Sequence, residues 1–503
     1  MSKIQNIICS VDEVRALEND QICAGRPAKA MMENAGRAAF QLLRQCWPHA
    51  ERISVYCGGG NNGGDGYVLA RLAAESGFPV DLVALASPAT PEARQAEESA
   101  RAAGIYPRSH SQQLLEATDV VVDALLGIGA KGALRERFSF VVSEINKCSA
   151  GRLALDVPSG LSADSGAVCG DAINADVTIT FIRLKRGLMT GVGPDHCGRI
   201  VLDDLGVGLE ESTEEDDPVS WGYRLSRKWV EGVLPRRSAS AHKGVAGGLL
   251  VIGGGVGMAG APVMAGRAAL RSGVGRVTIG CHPDSRIAAA SQMPELMVVG
   301  LGDPQELTFL LARSDALVIG PGLGQDAWAQ EIYRTCCDHN VPKVIDADAL
   351  NLLSRGPRAV PRAVLTPHPG EAGRLRRIDV VDVQRHRPAV VEMIAEQFSG
   401  VCVLKGAGTL IAQAGKPALA CDRGHSGMAT AGMGDVLSGV IGALMAQGLS
   451  GYDAAGAGVW IHGVAGERVG QRGGRIGLLA TDLERGIREL RTEMDFAETS
   501  GGR

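Results

Sequence analysis

Two glycine-rich segments carry the residue types and spacings best suited to chemistry. The first, CGGGNNGGDGY at 57–67, follows a strand-like ISVY and precedes a helix-like run, and it contains a G-x-G-x-x-G spacing. A dinucleotide-binding loop of this kind also has an acidic residue about 20 positions on, at the end of the second strand. That strand ends in ALASP at 84–88, which contains no acid. The segment is therefore not an ordinary NAD-binding loop.

The polar residues of this segment suit a different ligand. Asn61, Asn62 and Asp65 supply amide and carboxylate oxygens, which bind a hard cation or hydroxyl groups better than a bare phosphate. Asp123 ends the third predicted strand, and DVPSGL at 156–161 ends the fourth. Parallel strands end at one edge of a sheet, so we expect these oxygens to converge there. The alternative is that each aspartate only caps the helix after it.

The second segment, HSGMATAGMGDVLSGVIGAL at 425–444, runs from small residues directly into an apolar, helix-like stretch. Backbone N–H groups at such a helix start bind anions, so a phosphate site is expected there. Asp435 would lie beside the phosphate and accept a proton from a hydroxyl. KGAGT at 405–409 and His368 in TPHPGE add a cation, glycines and an imidazole at other strand ends. The alternative is a simple helix cap.

The composition limits the class of protein. A chain of 503 residues exceeds the size at which a single core keeps growing, so two domains are expected. With 51 basic and 56 acidic residues, the net charge of −5 favours a small-molecule ligand over nucleic acid or an anionic membrane. Twelve scattered cysteines without C-x-x-C spacing indicate a reducing compartment. The sequence contains neither the apolar core of a signal peptide nor an apolar run long enough to span a bilayer. We therefore expect a cytoplasmic protein.

The elements that must position these residues form two series of alternating strands and helices. The first series has predicted strands at 53–57, 80–86, 119–126, 152–157 and 176–182 and predicted helices at 27–46, 65–76, 91–103 and 136–147, with a capping box at Ser10 and Glu13. The second has predicted strands at 248–254, 276–281, 316–322, 343–349, 363–367, 400–406 and 409–414. Between them, the acidic run LEESTEEDDPVS at 209–220 predicts a linker. The alternation predicts parallel sheets covered by helices on both faces.

The motifs of the first series resemble the epimerase domain of NAD(P)H-hydrate repair enzymes. CGGGNNGGDGY, DALLGIGAKG and LDVPSGL carry this resemblance, which implies a Rossmann-like fold and a potassium ion held by Asn62, Asp123 and Ser159. It implies contacts to the hydrated nicotinamide cofactor from Asn61, Asn62, Gly63, Gly64, Asp65, Gly127, Ile128, Gly129, Ala130, Lys131, Gly132, Ala133 and Asp156. Asp156 would be the catalytic carboxylate, which takes and returns a proton or stabilises a ring cation as hydroxide leaves.

The motifs of the second series resemble the ADP- or ATP-dependent NAD(P)H-hydrate dehydratases of the ribokinase-like superfamily. TPHPGE, KGAGT and GMATAGMGD carry this resemblance. It implies nucleotide contacts from Lys405, Gly406, Ala407, Gly408, Thr409 and Gly434, and hydrate contacts from Ala261, Gly324, His368 and Asp435. Asp435 would be the catalytic base, magnesium would screen the phosphates, and ADP would be the phosphoryl donor.

Together, the motifs predict a bifunctional α/β enzyme with a Rossmann-like epimerase domain at 1–215 and a ribokinase-like dehydratase domain at 222–495. It would epimerise R and S hydrates of NADH and NADPH at C6 and dehydrate the S hydrate at the expense of ADP. The apolar stretch 433–447 would pack across a subunit interface and make the protein a homo-oligomer. One alternative is a hydroxymethylpyrimidine- or hydroxyethylthiazole-type vitamin kinase, and another is a first domain that only binds its ligand.

Overall fold

The computed structural model describes residues 6–130, 132–207, 220–237 and 246–496. The chain forms two compact units, Met1–Tyr223 and Arg224–Arg503. The predicted linker at 209–220 lies outside the described residues except for its last residue, and Lys131 also lies outside them. In the described ranges, every helix is too short or too polar to cross a bilayer.

The first unit is built on a parallel sheet of β-branched strands that are buried on both faces, as expected when helices cover a sheet. Six strands form this sheet in the order β3-β2-β4-β5-β6-β8, whereas β1 pairs with β7 and β9. The strands are β1 (Ile7–Cys9), β2 (Ile53–Cys57), β3 (Val80–Ala84), β4 (Val120–Ala124), β5 (Gly151–Leu155), β6 (Val177–Phe181), β7 (Leu184–Lys185), β8 (Arg199–Asp203) and β9 (Gly222–Arg224).

The helices of the first unit connect these strands and begin at recognisable caps. They are α1 (Val11–Cys23), α2 (Ala28–Cys46), α3 (Asn61–Glu75), α4 (Pro91–Ala102), α5 (Gln112–Glu116), α6 (Glu136–Lys147) and α7 (Gly193–Cys197). The capping box of α1 is confirmed, because the Glu13 N–H donates to Ser10 Oγ and the Ser10 N–H donates to the Glu13 carboxylate. Helix α3 begins four residues before the predicted start at 65, so Asn61 and Asn62 lie in its first turn and Asp65 follows directly after that turn.

The second unit contains a larger sheet that is also mainly parallel. Seven parallel strands in the order β12-β11-β10-β13-β14-β15-β16 continue into two antiparallel strands, β17 and β18. These strands are β10 (Gly248–Ile252), β11 (Arg276–Cys281), β12 (Met297–Gly300), β13 (Ala316–Ile319), β14 (Lys343–Ile345), β15 (Ala363–Leu365), β16 (Val401–Leu404), β17 (Thr409–Gln413) and β18 (Ala418–Cys421). Both units therefore confirm the predicted α/β class.

The helices of the second unit include three long ones near its C-terminal end. They are α8 (Arg227–Val233), α9 (Gly260–Arg271), α10 (Arg286–Ala290), α11 (Pro304–Ala312), α12 (Ala327–Asp338), α13 (Ala347–Arg355), α14 (Pro369–Arg376), α15 (Val380–Arg385), α16 (Arg387–Phe398), α17 (Met433–Ala446), α18 (Gly451–Gly473) and α19 (Leu483–Phe496). Every residue of α17 from Val436 to Ala446 is buried, and α17 packs against α9 and α18. It is a core helix, so it gives no support to the predicted subunit interface.

Candidate active sites

A cavity of about 490 Å³ lies in the first unit, beside the carboxyl ends of β2, β4 and β5. Its lining includes eight of the predicted residues: Asn61, Asn62, Asp65, Gly127, Ile128, Gly129, Ala130 and Asp156. The predicted contacts Gly63, Gly64, Gly132 and Ala133 are not part of this lining. The strand ends thus bring most of the predicted polar groups to one place, as the parallel sheet requires.

Close contact between main chains positions the start of α3. Gly58 donates its N–H to the Ala124 carbonyl oxygen at 2.9 Å. A Cβ at Gly58 would lie 1.7 Å from the Leu125 carbonyl oxygen, so only glycine fits there. The approach brings Asn62 to the loop after β4, where its amide donates to the Leu126 carbonyl oxygen at 2.8 Å. The glycine spacing therefore serves packing between two strand ends.

Asp123 and Ser159, two of the predicted potassium ligands, are hydrogen-bonded to each other. The Asp123 carboxylate accepts from the Ser159 N–H at 2.8 Å and from its hydroxyl at 2.6 Å. Burial raises the pKa of Asp123 to about 6. The third predicted ligand, Asn62, has a buried Oδ1 that finds no hydrogen-bond partner among the described residues. These oxygen donors fit a cation such as potassium, and Asp123 does not cap a helix.

Asp156 makes an ion pair that the sequence analysis did not predict. Its Oδ1 lies 2.5 Å from the ammonium nitrogen of Lys185, which also donates to the Thr180 hydroxyl and the Phe181 carbonyl oxygen. The Lys185 side chain is 1% exposed. Asp156 has φ of 64°, an uncommon backbone conformation for a residue other than glycine, and such strain is concentrated at functional sites. The available signal was the lysine in FIRLKRG, directly after a buried strand.

Two further carboxyl groups line the same cavity. Burial, and then the charge of Asp156, raise the pKa of Glu18. Burial, followed by the charges of Asp156 and Glu18, raises the pKa of Asp65 well above its usual range. The site therefore combines a carboxylate paired with a lysine and two carboxyl groups that favour the protonated form. This combination can both accept and donate a proton.

The second unit contains a site centred on Asp346, at the carboxyl end of β14. One carboxylate oxygen of Asp346 lies 2.9 Å from the ammonium nitrogen of Lys405, and the other accepts from the Ser438 hydroxyl at 2.5 Å. A Cβ at Gly434 would lie 3.2 Å from that ammonium nitrogen. The predicted KGAGT and GMGD segments are therefore neighbours. They are joined by Asp346, the first residue of the segment DADALN at 346–351, for which no catalytic or binding contact was predicted.

Asp435 lies in the first turn of α17, whose start is set by Gly432 at φ of 87°. Burial, and then the negative charge of Asp346, raise the pKa of Asp435 to about 7, whereas Lys405 lowers it. A carboxyl group with that pKa changes protonation state near neutral pH, which suits a general base.

The remaining predicted hydrate contacts lie on neighbouring strand ends. His368 caps α14 by accepting the Gly370 N–H at 3.0 Å, while Glu371 accepts the His368 N–H at 2.8 Å. Burial, and then Lys405, lower the pKa of His368. The Gly324 N–H donates to Asp348 at 2.9 Å. Ala261 lies in the first turn of α9, beside the loop after β13.

The KGAGT segment is held from behind by a buried arginine that the sequence did not reveal. The Arg387 guanidinium donates to the carbonyl oxygens of Leu404 at 3.1 Å, Lys405 at 3.3 Å and Gly408 at 3.4 Å. Burial lowers the pKa of Arg387 to about 10. Ala407 is exposed at the tip of the segment, and the Thr409 hydroxyl donates to the Gly406 carbonyl oxygen at 3.0 Å. The backbone of the segment is thus fixed while its tip faces solvent.

The carboxylates of this second site are suited to bind a metal ion only when a ligand supplies further donor atoms. Asp346, Glu371 and Asp435 all act electrostatically on Lys405, and Arg374 is a second cation that acts on Glu371. Across the described ranges, no three His, Cys, Asp or Glu residues are grouped so as to hold a metal ion. Magnesium usually combines one or two carboxylates with substrate phosphates, so these residues fit an ion that arrives with a nucleotide.

The fold and sites define a two-unit α/β protein, with a Rossmann-like unit followed by a ribokinase-like one. A family described as YjeF-related protein N-terminus matches residues 28–187, and a family described as NAD(P)H-hydrate dehydratase matches 249–489. A ribokinase-like superfamily protein from Enterococcus faecalis V583 has a TM-score of 0.50 and 28% identity, over 54% of this chain and 95% of that one.

Full-length relatives agree with this division. The bifunctional NAD(P)H-hydrate repair enzyme of Coxiella burnetii is 44% identical over 95% of this chain and 98% of its own. That of Escherichia coli K12 is 42% identical over 95% of this chain and 93% of its own. The chain therefore belongs to the family of bifunctional NAD(P)H-hydrate repair enzymes, with an epimerase domain and a dehydratase domain. The alternative of a vitamin kinase is not favoured.

Proposed function

We propose that the protein converts hydrated NADH and NADPH back to NADH and NADPH in two steps. The first unit interconverts the R and S hydrates at C6, and the second removes water from the S hydrate at the expense of ADP. The observation that carries the proposal is that each unit holds its own aspartate at a sheet edge, Asp156 beside Lys185 and Asp435 beside Lys405 and Asp346. Membership of the repair family supports the choice of substrate.

In the epimerase step, the stereocentre at C6 is broken and remade. The C6–O bond breaks with its electrons on oxygen, a proton from a cavity carboxyl group makes the leaving group water, and the ring nitrogen forms a double bond to C6. Asp156 stabilises this ring cation, and water returns to the other face while its proton goes back to a carboxylate. A potassium ion held by Asn62, Asp123 and Ser159 would supply positive charge near the bound substrate.

In the dehydratase step, Asp435 removes the proton of the C6 hydroxyl, whose oxygen attacks the β-phosphorus of ADP and releases AMP. The C6–O bond then breaks with its electrons on the departing phosphate, and loss of a proton from C5 restores the ring double bond. Lys405 to Thr409 and Gly434 would bind the nucleotide, and Ala261, Gly324 and His368 would bind the hydrate. Magnesium would neutralise charge on the phosphates.

The direct test is an assay on separated epimers with ADP and ATP compared. We expect the S hydrate and ADP to restore the absorbance of the reduced nicotinamide, with AMP and phosphate formed in equal amounts. The R hydrate should be converted only after epimerisation, so Asp156→Ala should leave it unconverted. If the S hydrate with either nucleotide gives no reduced nicotinamide, the repair proposal fails. If Asp156→Ala still interconverts the epimers, the first unit is a binding module.

The metal assignments need their own measurement. Replacing potassium by tetramethylammonium should slow epimerisation, and Asn62→Ala should remove that dependence because it deletes the unpartnered oxygen. Chelation of magnesium should stop dehydration alone. Epimerisation that is indifferent to potassium in both proteins would overturn the potassium assignment.

The domain limits and the compartment also remain part of the proposal. We place the epimerase domain at 1–215 and the dehydratase domain at 222–495, in a cytoplasmic protein whose ligands are small molecules. Limited proteolysis within 209–220 should release two fragments that retain separate activities. Loss of both activities on cleavage there would place the boundary elsewhere.

A further inference from the structure

A buried lysine lies against Asp156, the proposed catalytic carboxylate of the epimerase site. The ammonium nitrogen of Lys185 is 2.5 Å from Oδ1 of Asp156, 2.9 Å from the Thr180 hydroxyl oxygen and 2.7 Å from the Phe181 carbonyl oxygen. An ammonium group has three N–H donors, so these three acceptors use all of them. Lys185 therefore has no donor left for a bound substrate, and any part it plays must act through Asp156.

The two oxygens of the Asp156 carboxylate have different surroundings. Within the described residues, the side-chain hydrogen bonds of this carboxylate fall on Oδ1, from Lys185 at 2.5 Å and from the Thr180 hydroxyl at 3.4 Å. Oδ2 lies on the side of Gly127, where an added Cβ would be 3.4 Å away. Gly127 lines the cavity. One oxygen is thus anchored, and the other is directed toward the space that would hold substrate.

The backbone at Asp156 is fixed as well. Its φ of 64° persists only where surrounding contacts impose it, and its N–H donates to the Ile179 carbonyl oxygen at 2.7 Å. The backbone bond and the lysine together set the direction of the side chain. Loss of the lysine would leave the carboxylate free to rotate about its side-chain bonds.

The charges around Asp156 give the lysine a second effect. Glu18 from α1 and Asp65 from α3 line the same cavity, and both act on Asp156 as like charges when ionised. Arg15 also lines this cavity, and its side chain is 44% exposed, so solvent screens its charge. Lys185, at 1% exposure, is not screened in this way. It therefore supplies a buried positive charge within hydrogen-bond distance of Oδ1, and a charge-assisted hydrogen bond of this kind is stronger than a neutral one.

We propose that Lys185 is a positioning residue for epimerisation, which holds the Asp156 side chain with Oδ1 anchored and Oδ2 facing the substrate. The inference rests on the proposed epimerase function of the first unit. Lys185 neither gives nor takes a proton in this scheme, and no bond to it is made or broken. Its removal acts on the rate through the direction of the Asp156 side chain alone.

The test compares Lys185→Met with Lys147→Met in the full-length protein. Lys147 is an exposed lysine of α6 in the same unit, paired with Glu144 at 3.1 Å, so its loss should change nothing. Interconversion of the R and S hydrates is followed by chromatography without nucleotide, as a function of hydrate concentration. We expect Lys185→Met to lower kcat about 10- to 100-fold. KM for the hydrate should stay within about twofold of the wild-type value, because Lys185 has no donor left for the substrate.

Lys185→Arg separates positioning from a merely structural role. Arginine keeps a cationic donor for Oδ1, so Lys185→Arg should restore part of the kcat that Lys185→Met loses. A wild-type kcat for Lys185→Met, or a loss that appears only as a raised KM, would overturn the inference. If Lys185→Met does not fold by circular dichroism, Lys185→Arg decides, and a raised KM with an unchanged kcat in that variant counts against the inference.

The same experiment distinguishes this inference from the proposed function. If the wild-type protein does not interconvert the epimers, the epimerase function itself fails. If the wild type is active and the lysine variants behave like Lys147→Met, only the positioning role fails. Dehydration of the S hydrate, measured in every variant, should be unchanged, since no residue of the second site is altered.

Discussion

Each unit contains a lysine–aspartate pair at the carboxyl edge of its sheet, but the two pairs are connected differently. In the first unit Lys185 holds Asp156, the proposed catalytic residue. In the second unit Lys405 holds Asp346, and the proposed base Asp435 is a neighbour whose pKa is raised to about 7. The lysine therefore anchors the proposed catalytic aspartate itself in the first unit, whereas in the second unit it anchors a neighbour whose negative charge adds to burial in raising the pKa of the proposed base.

The largest expected effect is a reciprocal loss of activity. Asp156→Asn should lower epimerisation about 10²- to 10⁴-fold and leave dehydration of the S hydrate unchanged, and Asp435→Asn should do the opposite, because each removes one catalytic carboxylate. Both rates are measured on purified epimers, so each variant is the control for the other. Loss of both activities in either variant would contradict two separate sites.

A smaller effect is expected from the lysine of the second site. Lys405→Met should lower dehydration about 100-fold, because a charge aimed at the nucleotide is lost and because Asp435 loses the cation that lowers its pKa. The acid limb of the dehydration rate should also move to higher pH. Lys416→Met, at an exposed position of the same unit, is the matched control. An unmoved limb would show that Lys405 does not act on Asp435.

The pH profile of the wild-type protein tests the difference between the two proposed catalytic aspartates without any mutation. The base must be ionised to accept a proton, and the pKa of Asp435 is raised to about 7 by burial and by Asp346. Dehydration at saturating substrate should therefore fall about tenfold per pH unit below 7 and level off above it. Epimerisation, measured in the same buffers, should not share this limb. A common limb in both rates would indicate a shared cause such as unfolding.

The smallest expected effect is a shift of the acid limb of the dehydration rate along the pH axis, of a size that depends on which aspartate is replaced. Asp346→Asn removes the negative charge that, after burial, most raises the pKa of Asp435, and it should move the limb to lower pH by up to about one unit. Asp348→Asn removes a charge with a lesser effect and should move it less. Titration of the rate against pH measures both. A displacement to higher pH in either variant would contradict the assigned electrostatics.

Much of the fold followed from local pattern. The strands predicted at 53–57 and 276–281 match β2 and β11 at both ends, because β-branched runs between turn residues specify buried strands. The strands β1, β7, β8, β9, β12 and β18 were missed. β12 is partly exposed and carries a weaker apolar pattern, while β18 is a short run of small residues. Short strands depend on pairing with a neighbour, which a local pattern does not record.

The candidate sites also contain residues that the sequence predicted and residues that it did not. Asn62, Asp123 and Asp156 could be predicted to lie together because they stand at or just after the ends of strands, which a parallel sheet gathers at one edge. Lys185, Arg387 and the role of Asp346 were missed, because each acts through contacts between segments distant in sequence. A charged side chain that folding buries looks the same in the sequence as one that stays in water. The roles of the site residues remain predictions.

The contact at Gly58 has an evolutionary consequence. The loop after β2 is held by its own main chain against the loop after β4, with no space for a side chain between them. This main-chain contact fixes the path at Gly58, and the Asn62 amide adds a second tie to the loop after β4. Substitutions at neighbouring positions whose side chains make no such tie can then change the ligand that the loop prefers, so new ligand preferences can arise on an unchanged backbone.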